Sequence, residues 1–189
     1  MGVIGRALGS MPLFAYGTLM FAPVIRSVIG RVPECCPAKI NGYRRLEVVG
    51  ETFPGLVRES GDGPVEGILY WHISELEWER LTAFEDDFYE LEEVSVVCPE
   101  GESLALAYVV PSSRRSLLSE KPWNADFFRK EYLATITGRV GGALGLRDRL
   151  TGTRVSLEER WEECRDASPA FQSVEAPPFR RSRYRNGYA

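Results

Sequence analysis

The sequence predicts an α+β domain. Three observations carry this: short β-rich runs punctuated by turn residues, two apolar stretches at helical spacing with stop or cap signals, and a composition able to fill one core. The chain has 189 residues, 44% of them hydrophobic and 26% charged, ordinary globular values. A chain of this length buries about 70% of its unfolded surface, so a core forms without disulfides or metals. With 23 basic and 27 acidic residues the net charge is −4. No general basic field exists to draw nucleic acid or an anionic membrane, and neither is expected as a partner.

Taken in order, residues 1–10 are glycine-rich and unpatterned, and read as a flexible leader. Gly5, Arg6, Gly9, Ser10 and Pro12 interrupt any apolar run at the start, so neither a signal-peptide core nor a membrane span is expected. Leu13–Tyr16 reads as a short strand entering Gly17-Thr18. Phe21, Val24, Ile25, Val28 and Ile29 then recur at helical spacing, and Gly30 stands where a helix stop belongs. Residues 38–40 and 44–49 are strand-like around Asn41-Gly42, a dipeptide that favours a hairpin. Pro54-Gly55 makes 52–58 irregular or an edge.

Val65–Ile73 is a β-rich run expected to be a buried strand. Ser74 follows with Glu77 three residues later, the capping-box spacing, and Leu76, Leu81 and Phe84 are assigned to the apolar side of the helix they open. Residues 88–98 and 104–110, joined through Pro99-Glu100-Gly101, predict a second hairpin. Residues 124–136 predict a helix with Phe127, Phe128, Tyr132, Leu133 and Ile136 as its apolar positions, and Ser156 begins a shorter one to Cys164. The last stretch, 169–189, sets Arg180, Arg181, Arg183 and Arg185 against Glu175 and carries Pro169, Pro177 and Pro178. It reads as a basic, disordered tail. The division is therefore a leader (1–10), the α+β domain (11–140), a helical extension (141–168) and the tail (169–189).

Familiar catalytic signatures are absent: no phosphate-binding glycine loop, no nucleophile elbow, no H-E-x-x-H. The single histidine, His72, lies in the β-rich run beside Trp71 and reads as a strand residue rather than a triad member. Cys35, Cys36, Cys98 and Cys164 include no C-x-x-C pair, and with one histidine there is no Cys/His set at zinc spacing, so no metal site is expected. Free thiols fit a reducing compartment, and the cytoplasm is the expected location.

Two places retain chemical interest. Phe14-Ala15-Tyr16-Gly17-Thr18-Leu19 is a strand that breaks at glycine ahead of a helix, where backbone N–H groups can face an anion or a carbonyl oxygen; an ordinary strand-to-helix turn fits equally. The second is Phe84-Glu85-Asp86-Asp87-Phe88-Tyr89, where a helix ends in three acids. Acids oppose the helix dipole there, and a carboxylate held between aromatics has a raised pKa suited to proton transfer; a solvated acidic turn is the alternative.

The segments PLFAYGTLM (12–20), IGRVPECCPAKINGYRRLEVVGETFPGLV (29–57), VEGILYWHISELEWERLTAFEDDFYELEEVSV (65–96) and the helix from Trp123 to Leu133 together resemble the gamma-glutamylcyclotransferase-like superfamily, most of all its plant and fungal avirulence-induced-gene branch. The resemblance implies a compact mixed β-barrel flanked by helices, with a cavity at one end. It also implies that Tyr16, Gly17, Thr18 and Leu19 hold the gamma-glutamyl part of a small-molecule substrate, with Tyr89 beside it. Glu85 is the implied general acid/base. The implied reaction needs no cofactor: the substrate's α-amine attacks its own γ-carbonyl and releases 5-oxoproline and an amine. One departure stands out. The family's Tyr-x-Arg after the acidic turn is Tyr89-Glu90-Leu91 in this chain. The rival expectation is a non-catalytic module that keeps the pocket and binds a small ligand or a protein; acyl transfer on another gamma-glutamyl amide with the same glutamate is a second enzymatic one.

Overall fold

A computed structural model describes residues 11–61 and 63–133. The leader 1–10, the extension 141–168 and the tail 169–189 lie outside the described residues, as do the helix at 156–164 and the last turn of the helix at 124–136.

Among the described residues, eight strands form two sheets. Strands β1 (Leu13–Ala15), β2 (Cys35–Ile40), β5 (Val65–Tyr70), β6 (Glu90–Cys98) and β7 (Gly101–Val109) close a barrel in the order β1-β5-β2-β6-β7. The closing contact is parallel, Leu13 opposite Leu106, and every other pairing in the barrel is antiparallel. Strands β3 (Arg44–Val48), β4 (Pro54–Val57) and β8 (Leu118–Pro122) form a separate sheet, ordered β4-β3-β8. Helices α1 (Ala22–Ile29) and α2 (Glu75–Phe84) and the helical residues 125–133 complete the architecture. The expected α+β class and mixed barrel with flanking helices are thus present. No described helix is long and apolar enough to cross a membrane.

Alternation along each strand divides the core in two. Phe14, Cys36, Ala38, Ile40, Leu69, Val94, Val96, Ala105 and Ala107 come from all five barrel strands and fill its interior. Their neighbours of opposite parity, Leu13, Ala15, Ile68, Tyr70 and Leu106, meet Val24 and Ile25 of α1, Trp78 and Leu81 of α2, and Phe128 outside the barrel. Gly67 sits where β5 crosses Phe14. A Cβ there would stand 2.4 Å from the Ala15 carbonyl oxygen and 2.6 Å from the Phe14 ring, so only glycine fits.

Helix α1 ends as its sequence predicts: Gly30 adopts φ 92° and its N–H donates to the Arg26 carbonyl at 2.8 Å. Helix α2 opens on the expected capping box. Ser74 Oγ accepts from the Glu77 N–H at 3.4 Å, and Glu77 Oε2 accepts from the Ser74 N–H at 2.8 Å. Arg31 then grips the same carboxylate with two donors and also donates to the His72 carbonyl at 2.7 Å, tying the exit of α1 to the entry of α2. Burial opposes ionisation of Glu77, yet the Arg31 and Ser74 hydrogen bonds hold its carboxyl below the ordinary range. Ser74→Ala is expected to cost about 1 kcal/mol, read as a lower denaturant midpoint at unchanged m-value.

Several expectations are corrected. Asn41-Gly42 does not close a hairpin: both sides of β2 are taken, by β5 and β6, so the chain leaves the barrel at this turn and begins the second sheet. His72 is not a strand residue. It follows β5 at φ 56°, exposed, with Nε2 3.4 Å from a Glu34 carboxylate oxygen. Leu76 is 56% exposed, because it lies about 140° around the helix from Leu81; Trp78 and Glu77 share the buried face instead. Phe127 is likewise exposed while its neighbour Phe128 is buried. Strand β8, which no periodicity announces, pairs with β3 at Val48–Leu118 and Leu46–Pro122. The 52–58 segment is the edge strand β4, with Pro54 as its first residue.

Candidate active site

Where β1 leaves the barrel, the chain breaks at Gly17 into a single 3-10 turn, Thr18–Met20. Both ends of this loop are pinned. Arg45 Nη1 donates to the Tyr16 carbonyl at 2.9 Å, and Tyr70 Oη donates to the Leu19 carbonyl at 3.0 Å. Tyr16 sends its ring into the core, and its hydroxyl donates to the Tyr108 carbonyl at 2.6 Å. The N–H groups of Gly17, Thr18 and Leu19 have no acceptor among the described residues, so the loop presents three free donors.

Facing it is the end of α2. Glu85 is the C-cap residue, extended at φ −80° and ψ 149°, with its N–H on the Leu81 carbonyl at 3.1 Å. That break in helical geometry separates Glu85 from Asp86 and Asp87, which are exposed, whereas Glu85 is half-buried. Tyr89 then turns back, its hydroxyl donating to the Pro54 carbonyl at 2.7 Å. Tyr16, Gly17, Thr18, Leu19, Glu85 and Tyr89 all line one cavity of about 230 Å³, together with Phe53, Pro54, Phe84, Asp86 and Tyr108. All six residues singled out in the sequence therefore meet at one place.

The electrostatics single out Glu85. Burial, and after it the negative charge of Asp86, pushes its carboxyl up to about 8. Among the described residues no hydrogen bond or ion pair engages that carboxyl to oppose the shift. Burial also raises the hydroxyls of Tyr16, Tyr89 and Tyr108, the last to about 12, and the Glu85 charge contributes to all three. Near neutral pH they stay protonated, as neutral hydrogen-bonding groups around an acid that titrates in the working range.

Sequence reasoning missed Tyr108, Phe53, Pro54 and Arg114. Tyr108 reaches the cavity from β7, and its hydroxyl shares a hydrogen bond with Thr82 Oγ1 of α2 at 3.0 Å. Leu91 packs on the helix-covered core, while Arg114 Nη1, from the 3-10 turn Ser112–Leu117, donates to the Asp87 carbonyl at 2.6 Å and braces the acidic turn. Among the described residues no thiol lines the cavity: Cys35, Cys36 and Cys98 are buried, and burial pushes Cys36 and Cys98 up.

A family model described as "Gamma-glutamyl cyclotransferase, AIG2-like" matches residues 13–125. AIG2-like protein D of Arabidopsis thaliana is 32% identical over 89 residues, which cover 47% of this chain and 58% of that protein. AIG2-like protein C of the same plant is 32% identical over 85 residues, covering 45% and 49%. The matched segment thus spans about half the length of these curated relatives. Two solution structures of Arabidopsis thaliana proteins share the fold. One superposes at TM-score 0.52 with 22% identity, covering 76% of this chain and 98% of that one; the other at 0.53 with 21%, covering 79% and 89%.

Proposed function

Because this chain belongs to the gamma-glutamyl cyclotransferase, AIG2-like family, we propose that its cavity cyclises a gamma-glutamyl amine or peptide to 5-oxoproline, with Glu85 transferring the proton. The observation that carries this reading is a carboxyl raised to about 8 that lines the same cavity as a loop whose Gly17, Thr18 and Leu19 N–H groups have no acceptor among the described residues.

The chemistry balances without any other reagent. Glu85, as carboxylate, takes a proton from the substrate's α-ammonium. The freed amine attacks the γ-carbonyl, and the electron pair of the C=O moves to oxygen, where the N–H groups of the Gly17–Leu19 loop stabilise the developing charge. Collapse expels the amine as Glu85 gives its proton to the departing nitrogen. Glu85 then takes the second proton from the ring nitrogen and passes it to the freed amine, so that the lactam is neutral, the amine leaves as an ammonium and Glu85 returns to the carboxylate. Two features suit the step. Raising the Glu85 carboxyl to about 8 brings it toward the range of an α-ammonium, so the transfer is far less uphill than to an ordinary carboxylate. Ring closure is intramolecular, so a cavity holding the glutamyl chain bent supplies much of the acceleration. The reading extends to the chain as a cofactor-independent enzyme.

The test is 5-oxoproline release from a panel of gamma-glutamyl amines, gamma-glutamyl dipeptides and glutathione. Turnover of at least one member is expected. If none reacts while one binds, the pocket serves a non-catalytic module. On an accepted substrate, kcat/KM is expected to follow a bell, rising with ionisation of Glu85 near pH 8 and falling at higher pH with deprotonation of the substrate ammonium. Asp86→Asn removes one cause of the raised pKa, so the rising limb moves to lower pH and the falling limb stays.

A further inference from the structure

The far end of the barrel holds a second cluster. The thiols of Cys36 and Cys98 and a carboxylate oxygen of Glu100 lie within 4.8 Å of one another. Cys36 belongs to β2; Cys98 ends β6, and Glu100 sits in the two-residue turn leading to β7. These strands are neighbours through Lys39 and Val97. Strand β6 runs from Glu90, next to Tyr89 at the cavity, to Cys98 at its other end, and none of the three residues lines that cavity, so this cluster is separate from the site described above. The cysteines are 62 positions apart in sequence, which is why spacing motifs do not reveal them.

We infer that Cys36, Cys98 and Glu100 form a binding site for a thiophilic d10 cation of the Zn2+ class, linking β2 to the β6–β7 turn. Two sulfurs and one carboxylate are three ligands of a tetrahedral ion, with the fourth position open to water. Around Zn2+ at about 2.3 Å, two sulfurs stand about 3.8 Å apart, so the cluster closes by small side-chain adjustments. Cys36 is 1% exposed and Cys98 9%, while Glu100 is exposed and gives the ion a way in. Among the described residues no lysine or arginine pairs with Glu100. Burial and the Glu100 charge both disfavour thiolates in the free protein, and a bound cation reverses that balance. Binding forms two metal–sulfur bonds and one metal–oxygen bond. It releases the two thiol protons to solvent, with no change of oxidation state, so affinity rises with pH.

The experiment titrates the reduced, metal-stripped full chain with Cd2+, follows the ultraviolet thiolate-to-metal charge-transfer band, and repeats it in competition with Zn2+. One saturable Cd2+ per chain is expected, displaced by Zn2+, with the melting temperature rising as Zn2+ is added. Cys98→Ala should abolish the band. Glu100→Gln, at an exposed turn position, should keep the fold and weaken binding at least ~10-fold. Cys35→Ala and Cys164→Ala should leave the titration unchanged. The site is overturned if the parent shows no saturable band, if Cys98→Ala binds like the parent, or if Glu100→Gln leaves affinity untouched.

Discussion

Glu85→Gln is expected to lower 5-oxoproline formation at saturating substrate by ~10²–10⁴, equivalent to about 3–5 kcal/mol in activation free energy. Glutamine keeps the shape and hydrogen-bonding capacity of the side chain but exchanges no proton near neutrality. The same substitution should stabilise the fold, and only in one range of pH. The native carboxyl holds its proton up to about 8, whereas an unfolded one loses it near 4.5. Between these values the folded state binds more protons, so the parent loses stability as pH rises from 4.5 to 8. The variant lacks that loss. Melts should coincide below pH 4.5 and diverge to about 1–3 kcal/mol in favour of Glu85→Gln above pH 8, a figure discounted for the partial exposure of Glu85. Asp86→Asn and Asp87→Asn should reduce turnover less than tenfold, because both side chains are exposed. A Glu85→Gln protein that turns over like its parent refutes the role of this glutamate.

Gly67→Ala should be the most damaging single methyl in the barrel. Its Cβ would meet the Ala15 carbonyl oxygen at 2.4 Å, and that oxygen is backbone in the β1–β5 ladder. The Phe14 ring, at 2.6 Å, has the fully packed barrel interior behind it. Neither can give way without moving β1. Overpacking of this kind costs about 3 kcal/mol or more, a drop in Tm of roughly 6–12 °C for a chain of this size. Because β1 runs directly into Tyr16–Leu19, any Gly67→Ala protein that does fold should also lose substrate affinity. Gly63→Ala, where a Cβ meets nothing within 4 Å, should melt within about 0.5 kcal/mol of the parent. Equal melts for the two variants would show that β1 is free to shift.

Local signals proved legible where the chain solves its hydrogen-bonding problem locally. The Ser74–Glu77 box, the Gly30 stop and the Pro99-Glu100 turn each satisfy backbone groups within a few residues, so residue identity reports the structure. Asn41-Gly42 misled because turn chemistry says that the chain reverses, not what it pairs with afterwards; β2 finds its partners in β5 and β6. Strand β8 was invisible because Ser119, Glu120 and Lys121 give no alternation; its register comes wholly from β3. His72 lies between Trp71 and Ile73 and looked like part of a strand, yet the chain turns left-handed there to reach the Ser74 cap. The site divides the same way. Its loop and its acidic helix end were readable as contiguous motifs, while Tyr108, Pro54 and Arg114 arrive from elsewhere in the chain and carry no motif of their own.

The register of the barrel has one more consequence. Strands β1, β5 and β2 are joined by continuous ladders, and so are β6 and β7, but the two groups meet through only Leu13–Leu106 on one side and Lys39–Val97 on the other. The barrel is a pair of shells with two narrow seams, and seams are where a native protein opens without unfolding. Amide hydrogens there, beginning with the Leu106 N–H on the Pro12 carbonyl, should exchange with solvent sooner than those inside either ladder. The cavity straddles the first seam, with Leu13–Leu19 on one shell and Tyr108 on the other. Breathing of the barrel and admission of a ligand would then be one motion, and an occupied cavity would slow exchange at Leu106.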